Sequence, residues 1–379
     1  MKIFSSKIYL EAGLPLGGND PARLSICSSD QLEINGLEFS DQEGRRHQLC
    51  SVDALYAGRL VKDYVPDAMK CIFAASHTHY APMLDDTKPK IGRFSRGALK
   101  SYFDSISQAA RLDIMPNICR MYKAEVDVPV YRRFDYPLNW FNSFLTKYCG
   151  LYPNHELAID KNIYIFEFLA DDKSLFVLVH HACHPVSRGV SDEISSDYVG
   201  ILRKAVRDRF KVDTVIFLLG CAGDIRPNTT RKRVSWLPKS RVNWRFDSNP
   251  SASQRDVIDS KYSQAVKEAT EYDNFLLNSH SIEVVENELL LKGGVNTQIS
   301  KIKIGEKLRF TFLPFEVSHL FAIDLQKIDR NHFIVSCAGS TLGYLSHPTQ
   351  YVNGGYEVSG SLQYMGLKER IEITHGDLF

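Results

Sequence analysis

The chain has 379 residues, of which 44% are hydrophobic and 24% are charged, and its formal net charge is +1. These proportions are ordinary for a globular protein with a sizeable core, and they exclude disordered and collagen-like chains. The balanced charge provides no overall field that would attract nucleic acid or a membrane surface. The eight cysteines include no CxxC pair, the N-terminal residues lack the apolar segment of a signal peptide, and no window resembles a membrane span. We therefore expect a cytoplasmic protein with no nucleic-acid partner and no stable membrane insertion.

Strand-like and helix-like segments alternate along the chain without an internal repeat. Apolar or alternating runs indicate strands, and amphipathic runs indicate helices. In chain order, the pattern predicts strands at 69–75, 161–170, 174–181, 213–220, 301–313 and 332–336, and helices at 96–112, 197–211 and 251–272. Such alternation indicates an α/β fold with mixed sheets. We expect residues 1–379 to form a single catalytic domain, with a basic, tryptophan-containing insertion at 229–250.

Chemically reactive side chains follow four of the apolar segments directly. They lie in the segments 76–79 (SHTH), 180–185 (HHACHP), 220–224 (GCAGD) and 314–316 (PFE). In open α/β sheets, binding sites form where strand ends meet. The four segments therefore predict one convergent site at the strand ends.

The first of these segments contains a histidine pair, His77 and His79. In an extended backbone, residues two apart point to the same face, so both imidazoles can reach one metal ion beyond the strand end. The alternative is that the two histidines are surface residues or are hydrogen-bonded in the core.

His184 and Glu316 extend this candidate set. His184 follows His180 and His181 and precedes a proline, which favours an extended backbone and lets the side chain project from a loop. A carboxylate at the position of Glu316, just past an apolar strand, is costly unless it is paired or bound to a metal. Two neutral histidines and one carboxylate make a competent zinc site with an open position for water. The HExxH pattern of metallopeptidases does not occur in the sequence.

The run Ser195, Ser196, Asp197 follows His184 closely. The carboxylate of Asp197 can orient a metal-bound imidazole from behind, which is a common arrangement around metal-binding histidines. The alternative is that Ser196 or Asp197 caps the helix predicted at 197–211.

Further motifs occur in a fixed order along the chain. They read SHTHYAP at 76–82, ACHPVS at 182–187 with SSD at 195–197, GDIRPN at 223–228, PFE at 314–316 and GYLSHPTQYVNGGYE at 343–357. Together they resemble the motifs of the neutral/alkaline ceramidase superfamily, which consists of zinc amidohydrolases that cleave an N-acyl bond. The resemblance extends over most of the chain. It implies the fold of the superfamily's N-terminal catalytic domain, with the zinc site at the strand ends.

The resemblance also implies a role for each matching residue. The implied ligands of Zn²⁺ are His77, His184, Glu316 and Tyr344. The residues implied to contact the scissile group are His79, Arg132 and Tyr356. A zinc ion in such a site polarises an amide carbonyl and activates water. Arg132 or His79 can then stabilise the developing oxyanion, and His79 can pass a proton to the leaving amine.

Two positions depart from the ceramidase pattern. Arg226 stands two residues after Asp224, where the ceramidases have a serine, and it indicates an anionic group on the substrate. Tyr80 and Ala81 replace the usual Ser-Gly, which makes the wall of the pocket bulkier. Both departures speak against ceramide itself as the substrate.

The three tryptophans of the chain lie in two segments that are rich in aromatic or basic residues. Trp140 lies in the aromatic segment 131–152, and Trp236 and Trp244 lie in the basic segment 229–246. Aromatic faces beside arginine forks suit a sugar ring that carries a carboxylate or phosphate group. A lipid headgroup and single-stranded nucleic acid would also suit them. The remaining alternative is a solvated basic loop beside an ordinary aromatic core patch.

From these features we predict a zinc-dependent hydrolase that cleaves a carboxylic amide, as an N-deacetylase does. The predicted substrate is a small molecule or glycan, namely a polar or anionic N-acylated amino sugar or glycan precursor. Two enzymatic alternatives are the hydrolysis of an N-acyl lipid and the de-esterification of an acetylated sugar. The alternative outside the enzymes is a zinc-retaining protein that binds sugars or anions. The sequence does not determine the oligomeric state.

Overall fold

The computed structural model describes residues 1–18, 23–64, 66, 69–137, 147–232, 244–278, 281–292 and 294–373. In these residues the strands are β1 (Lys2–Ile8), β2 (Cys27–Ser28), β3 (Leu32–Ser40), β4 (Arg46–Val52), β5 (Lys70–Ala75), β6 (Leu112–Asp113), β7 (Ile118–Glu125), β8 (Pro129–Pro137), β9 (Lys147–Asn154), β10 (Asn162–Ala170), β11 (Lys173–His181), β12 (Glu193–Ile194), β13 (Val215–Leu219), β14 (Ile225–Pro227), β15 (Thr230–Lys232), β16 (Trp244–Phe246), β17 (Thr270–Leu276), β18 (Ile282–Leu290), β19 (Asn296–Ile304), β20 (Leu308–Phe312), β21 (Phe315–Val317), β22 (His332–Val335) and β23 (Gly343–Leu345). The helices are α1 (Arg59–Asp63), α2 (Arg96–Gln108), α3 (Tyr198–Phe210), α4 (Ala252–Glu268), α5 (His319–Ile328) and α6 (Leu362–Met365), with a 3₁₀-helix at Pro348–Asn353 and a π-helical turn at Tyr356–Gly360.

Two five-stranded mixed sheets form the centre of the fold. One has the strand order β5-β4-β3-β1-β6, and the other has the order β13-β11-β10-β7-β17. A four-stranded sheet has the order β18-β19-β20-β22, and β14-β8-β9 form a three-stranded sheet. Within these four sheets, parallel pairing joins β4 to β5, β11 to β13 and β20 to β22, and the remaining neighbours pair antiparallel. The predicted α/β architecture with mixed sheets is confirmed.

Strand β10 shows how the core is divided. Successive side chains on a strand point to opposite faces. Ile163 and Ile165 pack in a core cluster with residues of α3 and α4, whereas Tyr164 and Phe166 pack in a second cluster with residues of β20 and β22. The strand is therefore buried on both faces, which explains its nearly uninterrupted apolar sequence.

Three predicted elements differ in the structure. The strand predicted at 301–313 is the end of β19 and all of β20, because Gly305 has a φ of +60° and turns the chain between them. The helix predicted at 251–272 ends at Glu268, and Thr270 begins β17, which pairs with β7. The helix predicted at 96–112 ends at Gln108, because the next residue leaves the helical conformation. No helix in the described part of the chain combines the length and apolarity needed to cross a membrane.

Backbone hydrogen bonds bring the ends of several strands to one place. The N–H of Ser336 donates to the carbonyl of Leu219 at the end of β13, at 2.8 Å. The N–H of Ala75, the last residue of β5, donates to the carbonyl of Cys337 at 3.1 Å. The N–H of Cys337 donates to the carbonyl of Phe315 in β21 at 2.9 Å. The reactive segments that follow β5, β11 and β13 therefore meet beside β21, as the sequence predicted.

Candidate metal centre and active site

Three histidine side chains converge beyond the ends of β5 and β11. The ligating nitrogens of His77, His79 and His184 all lie within 4.8 Å of one another. The ring centroid of His77 lies 5.1 Å from that of His79 and 4.8 Å from that of His184. A cluster of imidazoles at this spacing can hold a metal ion.

The backbone at His77 differs from the extended conformation that we expected. Its φ is +66°, so the rule that alternate residues share a face does not apply here. The N–H of His77 donates to the carbonyl of Ala54 at 2.9 Å, and the hydroxyl of Thr78 donates to the carbonyl of Ser195 at 2.8 Å. A non-glycine residue with positive φ persists where surrounding bonds of this kind hold it. The imidazoles of His77 and His79 meet because of this bend and not because of strand alternation.

The proton positions of His77 and His184 follow from their backbone contacts. Nδ1 of His77 lies 3.0 Å from the carbonyl oxygen of Leu55, and Nδ1 of His184 lies 2.6 Å from that of Ala222. A carbonyl oxygen can only accept a hydrogen bond, so each Nδ1 carries a proton. In the neutral rings, each Nε2 therefore presents a lone pair, which is the arrangement typical of metal-binding histidines.

Glu316 completes the cluster from β21. Its Oε2 lies 3.3 Å from Nε2 of His77 and 3.2 Å from Nε2 of His184, and all three side chains are buried. Nε2 of His77 has no hydrogen-bond partner among the described residues. Three atoms with lone pairs thus face one another, which is unfavourable unless a cation or a proton lies between them. Two imidazole nitrogens and a carboxylate oxygen are a donor set that fits Zn²⁺.

Two tyrosines lie against Glu316. Tyr344 is its register partner in the parallel pair β21–β23, so the two residues lie side by side. The hydroxyl of Tyr56 donates to Oε1 of Glu316 at 2.5 Å, and its ring centroid lies 5.3 Å from that of His77. Tyr56 therefore occupies one carboxylate oxygen and leaves Oε2 to face the histidines. Sequence reasoning missed Tyr56, because it lies in an apolar segment outside every motif.

Arg132 reaches the cluster from β8. Its Nη1 lies 3.3 Å from Nε2 of His184, and its Nη2 donates to the hydroxyl of Tyr344 at 3.2 Å. Its Nε donates to Glu357 at 2.7 Å, and the other oxygen of Glu357 accepts from Arg133 at 2.6 Å. Glu357, a second residue that sequence reasoning missed, thus holds the guanidinium of Arg132 against the histidine cluster.

Burial and neighbouring charges shift the pKa values of the cluster. Burial and the charge of Arg132 lower the pKa of His184 to about 4. Burial and the other two imidazoles lower the pKa of His79 well below its ordinary value. Burial opposes the ionisation of Glu316, but His77 and His184 outweigh it and hold the pKa of Glu316 well below its ordinary value. At neutral pH, His79 and His184 are therefore uncharged and Glu316 is ionised, which are the forms that bind a metal cation. Burial opposes the protonation of His77, but Cys337 and Glu316 outweigh it and raise the pKa of His77 well above its ordinary value, so a metal ion binding here displaces a proton from His77.

A cavity of about 340 Å³ opens beside the cluster. Residues that line it include His79, Tyr80, Arg132, His184 and Arg226. Gly18, with a φ of +78°, also lines it and passes directly over His79, because a Cβ at this position would lie 2.2 Å from Nδ1 of the imidazole. The cavity gives a bound molecule access to the histidine cluster.

Comparison with solved structures identifies the fold. A crystal structure of neutral ceramidase from Pseudomonas aeruginosa matches with a TM-score of 0.67 and 14% sequence identity, over 96% of this chain and 72% of that chain. This chain has the neutral ceramidase-type fold. A second structure, of ceramidase complexed with C2, matches with a TM-score of 0.66 and 14% identity, over 98% of this chain and 76% of that chain. No protein-family model and no curated protein matches the sequence.

Within the neutral ceramidase-type fold, the residues that the motifs singled out mostly occupy one place. Those in or against the histidine cluster are His77, His79, Arg132, His184, Glu316 and Tyr344. Tyr356 lies at the edge of the cluster, with its ring centroid 5.5 Å from that of Tyr344 and 5.8 Å from the guanidinium of Arg132. His180 and His181 lie outside it in the core, where they bond to the carbonyls of Ile334 and Asn162.

The contacts of Asp197 differ from the imidazole contact that we expected. It is the N-cap of α3, and its carboxylate accepts from the N–H of Tyr198 and from both the N–H and the hydroxyl of Ser187. The groups that bond to Nδ1 of His184 are the carbonyls of Ala222 and Ile225, not the carboxylate of Asp197. Of the two interpretations of Asp197, these contacts agree with the helix cap.

The three tryptophans are only partly accounted for. Trp140 and Trp236 lie outside the described residues, as does the centre of the basic segment. Trp244 is 43% exposed on β16, with its ring 6.3 Å from that of His155. Among the described residues of this strand, Phe246 and not Trp244 lines the cavity.

Proposed function

We propose that this protein is a metal-dependent hydrolase that cleaves a carboxylic amide bond. The observation that carries the proposal is the approach of two Nε2 lone pairs, from His77 and His184, to one carboxylate oxygen of Glu316. A proton or a cation must lie between these atoms, and the donor set fits Zn²⁺. It lies at the strand ends of a fold that ceramidase structures share.

Zn²⁺ is the metal that we propose, with His77, His184, Glu316 and Tyr344 as its ligands. When bound, it would polarise the amide carbonyl and activate a water molecule. Glu357 holds Arg132 in place, with Nη1 beside Nε2 of His184 and Nη2 beside the hydroxyl of Tyr344. From this position its N–H groups would stabilise the negative charge that develops on the carbonyl oxygen during attack. Fixed donors of this kind stabilise an oxyanion.

His79 is the residue that we propose for proton transfer. Its Nε2 is buried without a hydrogen-bond partner among the described residues, and its side chain lines the cavity. A neutral imidazole in this position can take a proton from the attacking water and give it to the leaving nitrogen. Tyr356, beside Tyr344, is the remaining residue that we propose to contact the scissile group.

The substrate that we propose is a polar N-acylated amino sugar or glycan precursor. The polar lining of the cavity supports this choice, since Arg23, His79, Arg132 and Arg226 contribute to its wall. The second candidate is an N-acyl lipid, and the similarity of the fold to ceramidase structures favours it.

The metal centre is tested by measuring zinc per chain in the parent and in His184→Ala. We expect about one zinc per chain in the parent and a loss of most of it in His184→Ala, because this variant removes one of the two imidazole ligands. His155→Ala, which changes an exposed histidine, is the matched control and should keep its zinc. Full zinc content in His184→Ala would show that the ligand assignment is wrong.

The reaction is tested with a panel of acyl donors. Acetate release from an N-acetylated amino sugar, an O-acetylated sugar and a short-chain ceramide analogue separates amide, ester and lipid cleavage. We expect the N-acetylated sugar to be the best substrate and His79→Ala to lower its kcat by about 10²-fold or more while zinc is retained. Cleavage of the ceramide analogue alone would replace the sugar with the lipid candidate. If the protein has full zinc content but cleaves none of the donors, the alternative of a zinc-retaining binding protein would be supported.

A further inference from the structure

We propose that Arg226 forms an anion-binding subsite beside the metal centre and that the substrate carries a carboxylate or phosphate group that binds there. The identity of the scissile bond in this inference rests on the proposed function, whereas the subsite itself rests on the surroundings of Arg226. The subsite would distinguish this protein's substrate from a neutral lipid amide.

Strand β14 places Arg226 close to the histidine cluster. Its neighbours Ile225 and Pro227 are buried, and Arg226 lies between them with its side chain lining the cavity. The carbonyl of Ile225 accepts hydrogen bonds from both the N–H and Nδ1 of His184, at 3.2 Å and 3.1 Å. Arg226 is therefore the next residue after the one that holds His184, so its cation faces the same cavity as the proposed metal centre.

Arg226 has no ion-pair partner among the described residues, since Asp247, an acidic residue that also lines the cavity, pairs with Arg231 at 3.8 Å instead. Among the described residues, its Nε is buried without a hydrogen-bond partner and no carboxylate lies within 4 Å of its guanidinium. By contrast, Arg23 and Arg132, which line the same cavity, are paired with Asp192 and Glu357 at 3.1 Å and 2.7 Å. A partly buried and unpaired cation is costly, and an anionic ligand removes that cost.

Phe246 supports the guanidinium from one side. The ring centroid of Phe246 lies 4.6 Å from Cζ of Arg226, and both residues line the cavity. Stacking on an aromatic ring orients the planar fork of an arginine. A guanidinium oriented in this way can bind a carboxylate or a phosphate through two parallel hydrogen bonds. Burial and the charge of Arg132 lower the pKa of Arg226 to about 10, so it stays charged at neutral pH.

The size of the cavity limits the ligand. A space of about 340 Å³ is that of a small-molecule site. Because Arg226 lines the same space as His79 and His184, one molecule can place its anionic group at Arg226 and its scissile amide at the histidine cluster. The chemical class is an N-acylated, sugar-sized molecule that bears one carboxylate or phosphate.

Calorimetric titration of the zinc-loaded protein with three probes tests the subsite. The neutral probe is N-acetylglucosamine, the phosphate probe is N-acetylglucosamine 6-phosphate, and the carboxylate probe is N-acetylmuramic acid. We expect at least one anionic probe to bind the parent about 10-fold or more tightly than the neutral probe, as a charge-assisted hydrogen bond to a partly buried arginine predicts. Whichever anionic probe binds more tightly identifies the group that the subsite accepts.

Two variants separate a specific contact from a general attraction. Arg226→Ser should abolish the preference for the anionic probe while zinc content and binding of the neutral probe stay unchanged. Arg245→Ser, in which an exposed arginine beside Phe246 is changed, is the matched control and should keep the preference. Equal binding of all probes to the parent, no binding of any probe, or an unchanged preference in Arg226→Ser would overturn the subsite.

Acetate release, measured on the same preparations, reports separately on the proposed function. If the parent protein prefers an anionic probe but releases no acetate, the result supports the anion-binding subsite and contradicts the proposed hydrolase activity. If the parent protein releases acetate equally well from neutral and anionic probes, the result supports the hydrolase activity and contradicts the anion-binding subsite.

Discussion

At the scale of single residues, the candidate centre depends on which atoms carry protons. Carbonyl groups hold Nδ1 of His77 and His184, and the hydroxyl of Tyr56 holds Oε1 of Glu316. Each contact occupies the atom of the side chain that points away from the cluster, so that the remaining lone pairs face inward. Outer contacts of this kind orient metal ligands and raise their affinity for the metal.

Tyr56→Phe should weaken zinc binding about 10–100-fold without unfolding the protein, because Oε1 of Glu316 loses the hydrogen bond that fixes the carboxylate. Competition with a chelator measures the zinc Kd. Tyr102→Phe is the matched control, since Tyr102 is equally buried and donates its hydroxyl hydrogen to the carbonyl of Asp53, apart from the cluster. If Tyr56→Phe and the parent had the same zinc Kd, Tyr56 would have no positioning role.

At the scale of secondary-structure elements, the carboxylate of Asp224 links the strand that carries Glu316 to two neighbouring helices. Asp224 accepts from the hydroxyl of Ser318 at 2.6 Å, from the N–H of His319 at 2.8 Å and from the amide of Gln350 at 2.8 Å. These bonds join the end of β21, the start of α5 and the 3₁₀-helix at Pro348–Asn353. Asp224 thereby braces the strand on which Glu316 lies.

Asp197→Ala should lower the free energy of unfolding by about 2–3 kcal/mol, because α3 loses its N-cap and the buried donors of Ser187 lose their acceptor. Zinc content should stay unchanged, since the carboxylate bonds to Ser187 and Tyr198. Urea denaturation and elemental analysis measure the two quantities. Ser251→Ala, which removes the exposed cap of α4, is the control and should cost about 1 kcal/mol.

The opposite result would assign Asp197 to the metal centre. An Asp197→Ala protein with unchanged stability and depleted zinc would show that the carboxylate orients a ligand, as the alternative interpretation of the sequence holds.

At the scale of the whole molecule, buried neutral histidines couple stability to pH. His181 is fully buried between the carbonyl of Asn162 and the hydroxyl of Tyr262, and burial lowers its pKa from 6.5 to about 4. In the unfolded chain His181 takes up a proton near pH 6.5, whereas in the folded chain it does so only near pH 4. Its contribution to stability is therefore complete above pH 6.5 and is lost as the pH falls towards 4.

We expect His181 to account for a loss of about 3 kcal/mol between pH 6.5 and pH 4, at a slope of at most about 1.4 kcal/mol per pH unit. Urea denaturation across this range measures the slope in the parent and in His181→Gln, which should show a smaller slope. His155→Gln changes an exposed histidine and should leave the slope unchanged. A slope in His181→Gln as steep as in the parent would contradict this origin of the pH dependence.

The amino-acid sequence by itself determined the fold class and the place of the site. Apolar runs and alternation depend on local chain geometry, so β5, β10, β11 and β13 were predictable, and the reactive side chains at their ends could be found from their motifs. Elements whose bounds depend on a distant partner were less predictable. Strand β17 pairs with β7, and this pairing is invisible in a local pattern that continues a helix.

Only the tertiary structure decided which polar atoms face one another. Tyr56 lies outside every motif, and Glu357 ends the motif at 343–357 without an assigned role. They act on Glu316 and Arg132 through contacts that span 260 and 225 residues of sequence. The histidine tautomers depend on the carbonyl groups of Leu55 and Ala222, whose residue types are irrelevant to the bond. Such contacts arise when packing brings remote segments together, and the identity of each residue in isolation carries no information about them.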